Sequence, residues 1–109
     1  MVKLLTEIRL IDATKKDFAR AINHSMKKSK RTANIIVGQL DLHGPVTPKT
    51  LNKIYSKDTF NYETERLSPK SYRNFADNIK DILKIKKPAH ELNLMDFSNA
   101  VVRSIGKGK

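Results

Sequence analysis

The chain has 109 residues, with 22 Lys and Arg against 11 Asp and Glu, a formal net charge of +11. The absence of cysteine excludes both a disulfide framework and a thiolate metal site. No apolar run reaches the length of a membrane span and no signal-peptide pattern follows Met1, so the expectation is one soluble cytoplasmic domain, 1–109, with no membrane partner.

Net positive charge of this size attracts polyanions and favours nucleic acid as the partner. Its distribution is uneven. Asp12 to Val37 holds seven basic residues (Lys15, Lys16, Arg20, Lys27, Lys28, Lys30 and Arg31) against two acids, and Ser68 to Pro88 holds six (Lys70, Arg73, Lys80, Lys84, Lys86 and Lys87) against two. Gly38 to Leu67 carries four of each sign. Two basic blocks separated by a neutral stretch are what two contact elements would look like.

In chain order, residues 1–11 read as a short strand or an irregular lead-in, since Ile8 and Leu10 flank Arg9 while Leu4, Ile8 and Ile11 would also share a helix face. Asp12 or Thr14 caps a first helix, with Asp17 placed to complete a box-like start. Phe18, Ala21, Ile22 and Met26 form its apolar face. Met26 to Thr32 is a basic connection or a solvated continuation of that helix. Ala33, Ile36, Val37 and Leu40 give a second stripe, although β-branched Ile35-Ile36-Val37 also suits a strand, and Gly44-Pro45 stops it.

Thr47-Pro48 predicts a third, short helix to about Lys57, with Leu51, Ile54 and Tyr55 inward. Asp58 to Leu67, with Phe60, Tyr62 and Thr64 alternating, reads as a short strand or extended loop. Ser68-Pro69 opens the clearest helix: Tyr72, Phe75, Ala76, Ile79, Ile82 and Leu83 hold the helical period, and it ends by Lys87, before Pro88. Asn93, with Asp96 three residues on, caps a last helix whose apolar face is Leu94, Phe97, Val101 and Ile105. Residues 106–109 read as a flexible basic tail. The expected fold is mainly α, one small domain of four to five helices with little or no β.

The stretch HGPVTPKTLNKIY, His43 to Tyr55, resembles the start of winged-helix and other helix-turn-helix DNA-binding domains, and the resemblance extends over roughly residues 33–85. It implies that the helix begun by Ser68-Pro69 enters the major groove. With its apolar side inward, that helix turns Lys70, Ser71, Arg73, Asn74, Asp77 and Asn78 outward. Arg pairs with guanine, Asn pairs with adenine, and Lys70 and Ser71 suit phosphates. Lys27, Lys28, Lys30, Arg31 and Lys49 are the further phosphate contacts expected. The pattern departs from a tight helix-turn-helix in one respect. Ten residues, Asp58 to Leu67, separate the two helices where a turn of three or four is usual, and no β-hairpin wing follows Lys87.

The expected function is therefore sequence-specific binding of double-stranded DNA, as in a small transcriptional regulator or an operator- or origin-binding factor, with a homodimer formed through Leu94, Phe97, Val101 and Ile105. Two other readings remain open. One is a helical interaction module acting on transcription or replication machinery. The other is a ribbon-helix-helix DNA binder that uses Arg9 and Glu7. Stacking on RNA would have only Tyr62 exposed for it. No catalytic residue, cofactor or metal site is expected. His24, His43 and His90 are scattered without ligand spacing, and neither a phosphate loop nor a nucleophile elbow appears, although His24 could meet a phosphate from its basic surroundings.

Overall fold

The reciprocal cap at Thr14 starts the first helix as its spacing predicts. Thr14 Oγ1 accepts from the Asp17 amide at 3.4 Å, and Asp17 Oδ2 accepts from the Thr14 amide at 3.0 Å. In the structure, a computed structural model that describes residues 4–107, this helix is α1, Lys15–Lys28. It is followed by α2 (Lys30–Leu40), α3 (Pro69–Leu83) and α4 (Leu94–Lys107). Four α-helices with no strand among the described residues meet the mainly α expectation; pairing outside the helices is confined to isolated bridges.

The basic connection expected over Met26 to Thr32 is a single residue. Ser29 ends α1, its amide donating to Ser25 O at 3.2 Å, and begins α2, its hydroxyl accepting from the Thr32 amide at 3.2 Å. Lys27 and Lys28 thus belong to α1, Lys30 and Arg31 to α2, and Ile35-Ile36-Val37 is helical. Burial of Ile36 and Leu40 on the α1/α4 side outweighs the β preference of the branched triplet.

The largest departure lies at Thr47-Pro48. Thr47 does exchange hydroxyl bonds with Thr50, but the result is one 3-10 turn, Thr50–Lys53, and a second one follows at Lys57–Thr59. Of the three expected inward residues, Leu51 is buried, Tyr55 is half-buried and Ile54 is exposed. One fully buried anchor, followed by the poor helix formers Asn52, Ser56, Asp58 and Thr59, does not sustain an α-helix.

Asp58 to Leu67 closes into a hairpin-like loop by one bridge, Phe60 to Leu67, with the Asn61 amide donating to Arg66 O at 2.7 Å. Tyr62 stands at its tip, 98% exposed. Ser68 caps α3 as predicted, accepting from the Ser71 amide, and Pro69 is the first helical residue. The helix ends at Leu83, earlier than Lys87, because Lys84 turns left-handed at φ 55° and the Ile85 amide reaches back to Lys80 O. Asn93 and Asp96 cap α4 reciprocally at 3.0 and 3.1 Å, and Lys87 Nζ donates to both Asp96 oxygens. α4 runs on through Gly106 to Lys107, so the expected tail is in part helix; Gly108 and Lys109 lie outside the described residues, as do Met1 to Lys3 of the lead-in.

The lead-in is irregular. A 3-10 turn at Leu10–Asp12 and the bridge Arg9 to Asn93 tie it to the entry of α4, with the Leu10 amide donating to Leu92 O and the Leu94 amide to Ile8 O. Ile8 and Leu10 are buried, so they complete the core, and the strand that a ribbon-helix-helix needs is not formed among the described residues.

Phe18 of α1, 0% exposed, is the hub of the core. Phe60, Phe75 and Phe97 meet it edge-on, with centroids at 5.5, 5.9 and 5.0 Å, while Phe75 and Phe97 stack at 5.8 Å. One ring therefore joins α1, the hairpin-like loop, α3 and α4. Where α1 crosses α4 the side chains are small: Ser25 and Ser98 are fully buried and their hydroxyls bond each other. Ser25 Oγ lies 3.2 Å from Ala21 O and 3.1 Å from Ser98 O, so its one proton can go to a carbonyl while it accepts from the Ser98 hydroxyl, leaving neither hydroxyl unpaired.

Phe18→Ala should lower unfolding free energy by about 3–5 kcal/mol, whereas Tyr62→Ser should change it by less than about 0.5 kcal/mol; urea denaturation of the three proteins compares them. Tyr55, packed against Phe60 and Phe75, gives a second expectation. Burial pushes its phenol from 10.0 up to about 12. The folded protein then keeps a proton that the unfolded chain releases, so stability is intact below pH 10.0 and is lost as pH rises towards about 12. Tyr55→Phe should flatten that part of the decline in chemical denaturation against pH.

Candidate nucleic-acid interface

The α3 register is fixed from below. Ala76 and Ile79 are buried, and Phe75 sits in the ring cluster, so the opposite side of the helix faces solvent. Lys70, Arg73 and Asn74 are exposed there, Asn78 is exposed on the flank that lines the apolar cavity between α2, α3 and α4, and neither Lys70 nor Arg73 makes an ion pair with a described residue. Ser71 is different. It is half-buried and engaged in the cap, its hydroxyl accepting from Ser68 Oγ at 2.9 Å, which makes it part of the helix start. Asp77 and Asp81 share the exposed side further along, Asp81 with Lys84 at 3.9 Å. The positive part of the helix is therefore its first two turns, where the dipole also favours anions.

Lys27, Lys28, Lys30 and Arg31 are exposed around the α1/α2 junction. Lys28 Nζ bonds Asn99 Oδ1 at 3.3 Å, which lays that side chain over α4. This cluster and the start of α3 are not one patch. The Lys15 amide donates to Glu65 O and Thr14 bridges Arg66, three and two residues before Ser68. The start of α3 is thereby placed at the N-terminal end of α1, whereas Lys28 is at the other end, about 20 Å away along the helix. Lys49 is exposed just before the Thr50–Lys53 turn.

A group absent from the sequence reading gathers at the α3 end. A polar groove of about 720 Å³ runs along the first half of α1, and Arg9, Lys16, Arg20 and Arg66 line it together with Glu7, Asp12 and Asp17. Two devices build it. Glu65, left-handed at φ 59°, turns the chain so that Arg66 pairs beside Thr14, and Asn23 holds Val46 by two bonds, Nδ2 to Val46 O at 2.9 Å and the Val46 amide to Oδ1 at 2.7 Å. Asn23 thus acts as a strand partner would, and it brings Thr47 and Pro48 to the groove wall. Nothing in the spacing of residues 9, 16, 20 and 66 announces this convergence.

Several expectations change here. Leu94 and Phe97, expected on a dimer face, are 0% and 4% exposed in the domain's own core, leaving Val101 and Ile105 half-buried at the edge of an apolar cavity. The reason is that α4 packs against both α1 and α3. His24, suggested as a phosphate contact, has a buried Nε2 with no hydrogen-bond partner among the described residues, so that atom does not face a polyanion. Among the described residues no cluster of His, Asp or Glu is arranged to hold a metal, and no helix is long and apolar enough to cross a membrane.

Compared with family models, curated proteins and solved structures, the chain matches none. Its chemistry is read from its own residues.

Asn23→Ala removes both bonds to Val46 and leaves a buried amide unpaired, a loss of about 1–3 kcal/mol. Amide exchange at Val46 should accelerate well beyond that at Phe18 in the same variant, because the loop is released before the core opens.

Proposed function

We propose that this domain binds duplex DNA, with α3 as the element that meets base edges. The observation that carries the reading is the exposed set Lys70, Arg73, Asn74 and Asn78 on a helix whose other face is locked to the aromatic core. A rigid helix can present Arg and Asn to the major groove without the cost of ordering its backbone, and these are the side chains that form bidentate contacts with guanine and adenine. Arg66, Lys16 and Arg9 stand at the same end of α1 and supply phosphate contacts there, with Lys49 beyond them. Lys27, Lys30 and Arg31, about 20 Å away, supply a second phosphate cluster.

In the helix-turn-helix form of this reading, α2 and α3 are the outer helices and the Thr50–Lys53 turn takes the place of the middle one. A small transcriptional regulator, or an operator- or origin-binding factor, is the role that suits such a domain. Pairing of two copies would double the contact area, with Val101 and Ile105 the part of α4 left for it.

Binding of the full chain to duplex, single-stranded DNA and RNA across a salt series tests the reading. Strong, salt-dependent affinity for duplex with a retained sequence preference is expected. Arg73→Ala should cost about 1–3 kcal/mol at its preferred site and relax the preference there, whereas Lys30→Ala should weaken all duplexes alike and flatten the salt slope by about one unit. Absence of nucleic-acid binding at moderate salt removes the proposal, and equal sequence-independent losses from both variants remove α3 from the groove.

A further inference from the structure

In a chain with 33 charged residues among 109, one concave surface carries none. It is a cavity of about 290 Å³ between α2, α3 and α4, half open to solvent, with fifteen lining residues. Its walls are aliphatic, chiefly Ile36, Ile79, Ile82, Val101 and Ile105, and its floor is the stacked pair Phe75 and Phe97. The polar groups are few: the Tyr55 hydroxyl, Asn78, Gln39 and Ser104. The polar groove on α1, by contrast, has seven charged side chains in its lining.

Tyr55 is the informative member. Its ring is held between Phe60, at 6.4 Å, and Phe75, at 5.3 Å, so the side chain cannot swing out to water without breaking the aromatic cluster. Its hydroxyl makes no hydrogen bond to another described residue, and the half-buried side chain leaves it within reach of solvent. With the phenol pushed up to about 12 by burial, the group stays a proton donor at any physiological pH. Because that hydroxyl is not sealed from solvent, an acceptor entering the cavity can take its proton in place of water.

We propose that this cavity is a binding site for a small uncharged molecule that combines an apolar ring or chain with one hydrogen-bond acceptor, the acceptor taking the Tyr55 proton. The size agrees, since 290 Å³ lies at the lower end of the range for small-molecule pockets, whose linings are likewise apolar with a few placed polar groups. The absence of any charged lining residue disfavours an ion, because nothing there would offset its desolvation. The inference does not depend on DNA contact by α3, whereas pairing of two copies through Val101 and Ile105 would cover the same cavity.

Three probes of similar size separate the terms. Acetophenone has the ring and the acceptor, ethylbenzene has the ring alone, and benzoate carries a charge. Each is titrated into the full chain and followed by amide and methyl NMR shifts. Acetophenone should give saturable shifts centred on Ile79, Ile82, Val101 and Ile105, and ethylbenzene should bind about two- to tenfold more weakly. Tyr55→Phe, which keeps the ring, should weaken acetophenone by the same factor and leave ethylbenzene unchanged. Ser104→Phe, at an exposed position on the cavity wall, should reduce both.

No saturable shift with acetophenone overturns the proposal, as does tighter binding of benzoate. An equal effect of Tyr55→Phe on both neutral probes overturns the role of its hydroxyl. Sedimentation showing a dimer whose cavity resonances are already protected would assign the surface to a second copy instead.

Discussion

Every segment that carries a candidate functional group is positioned, directly or at one remove, by the ring of Phe18. Phe60 brings the hairpin-like loop against it, Phe75 brings α3 and Phe97 brings α4, each edge-on within 6 Å. Edge-to-face packing constrains angle as well as distance, so these contacts set the rotation of α3 about its own axis. That rotation decides which α3 residues face water. With Phe75 inward, Lys70, Arg73 and Asn74 have no place in the core and Asn78 falls on its edge, so the exposed stripe of α3 is a consequence of the aromatic cluster.

The rest of the fold secures that arrangement with short-range polar bonds at segment ends. Ser29 serves two helices at once, Asn23 holds Val46 as a backbone would, and Asp96 takes both the α4 cap and Lys87. Such bonds each add little to net stability but are expensive to leave unmade, so they fix register more than they add energy. Their effect on charge is considerable. By pinning Arg66 beside Thr14 and the start of α3 close by, they divide the positive surface between the two ends of α1. A polyanion touching both ends would have to lie along that helix.

The two concave surfaces differ in chemistry for a related reason. The groove on α1 is framed by irregular segments whose exposed residues are charged, whereas the cavity lies between helices whose inward stripes run a little past the core. The Ile82 and Ile105 positions extend the apolar faces of α3 and α4 beyond the point where α2 and the short 3-10 turn can cover them. A full α-helix over residues 48–57 would present Leu51, Ile54 and Tyr55 together. The short turn that forms instead leaves Ile54 exposed on the cavity wall and Tyr55 half-buried beside it.

Local chemistry was written plainly in the chain. Thr14 with Asp17, Ser68 with Pro69, and Asn93 with Asp96 specify helix starts because the bonds involved span three residues and need nothing from elsewhere. The 3.6 period of Tyr72 to Leu83 likewise specifies the buried face of α3, and with it the exposure of Lys70, Arg73, Asn74 and Asn78. What depends on distant partners was not legible. The Thr47-Pro48 signal is as good as the Ser68-Pro69 one, yet it yields one 3-10 turn, because helix length is decided by how much apolar surface the neighbours can bury. Leu94 and Phe97 looked available for a second copy until α1 and α3 covered them, and His24 looked exposed until its Nε2 was enclosed. The gathering of Arg9, Lys16, Arg20 and Arg66, and of Tyr55 with Phe75 and Phe97, was decided by tertiary structure alone. Periodicity records which way a residue faces on its own element, and only packing decides what it faces.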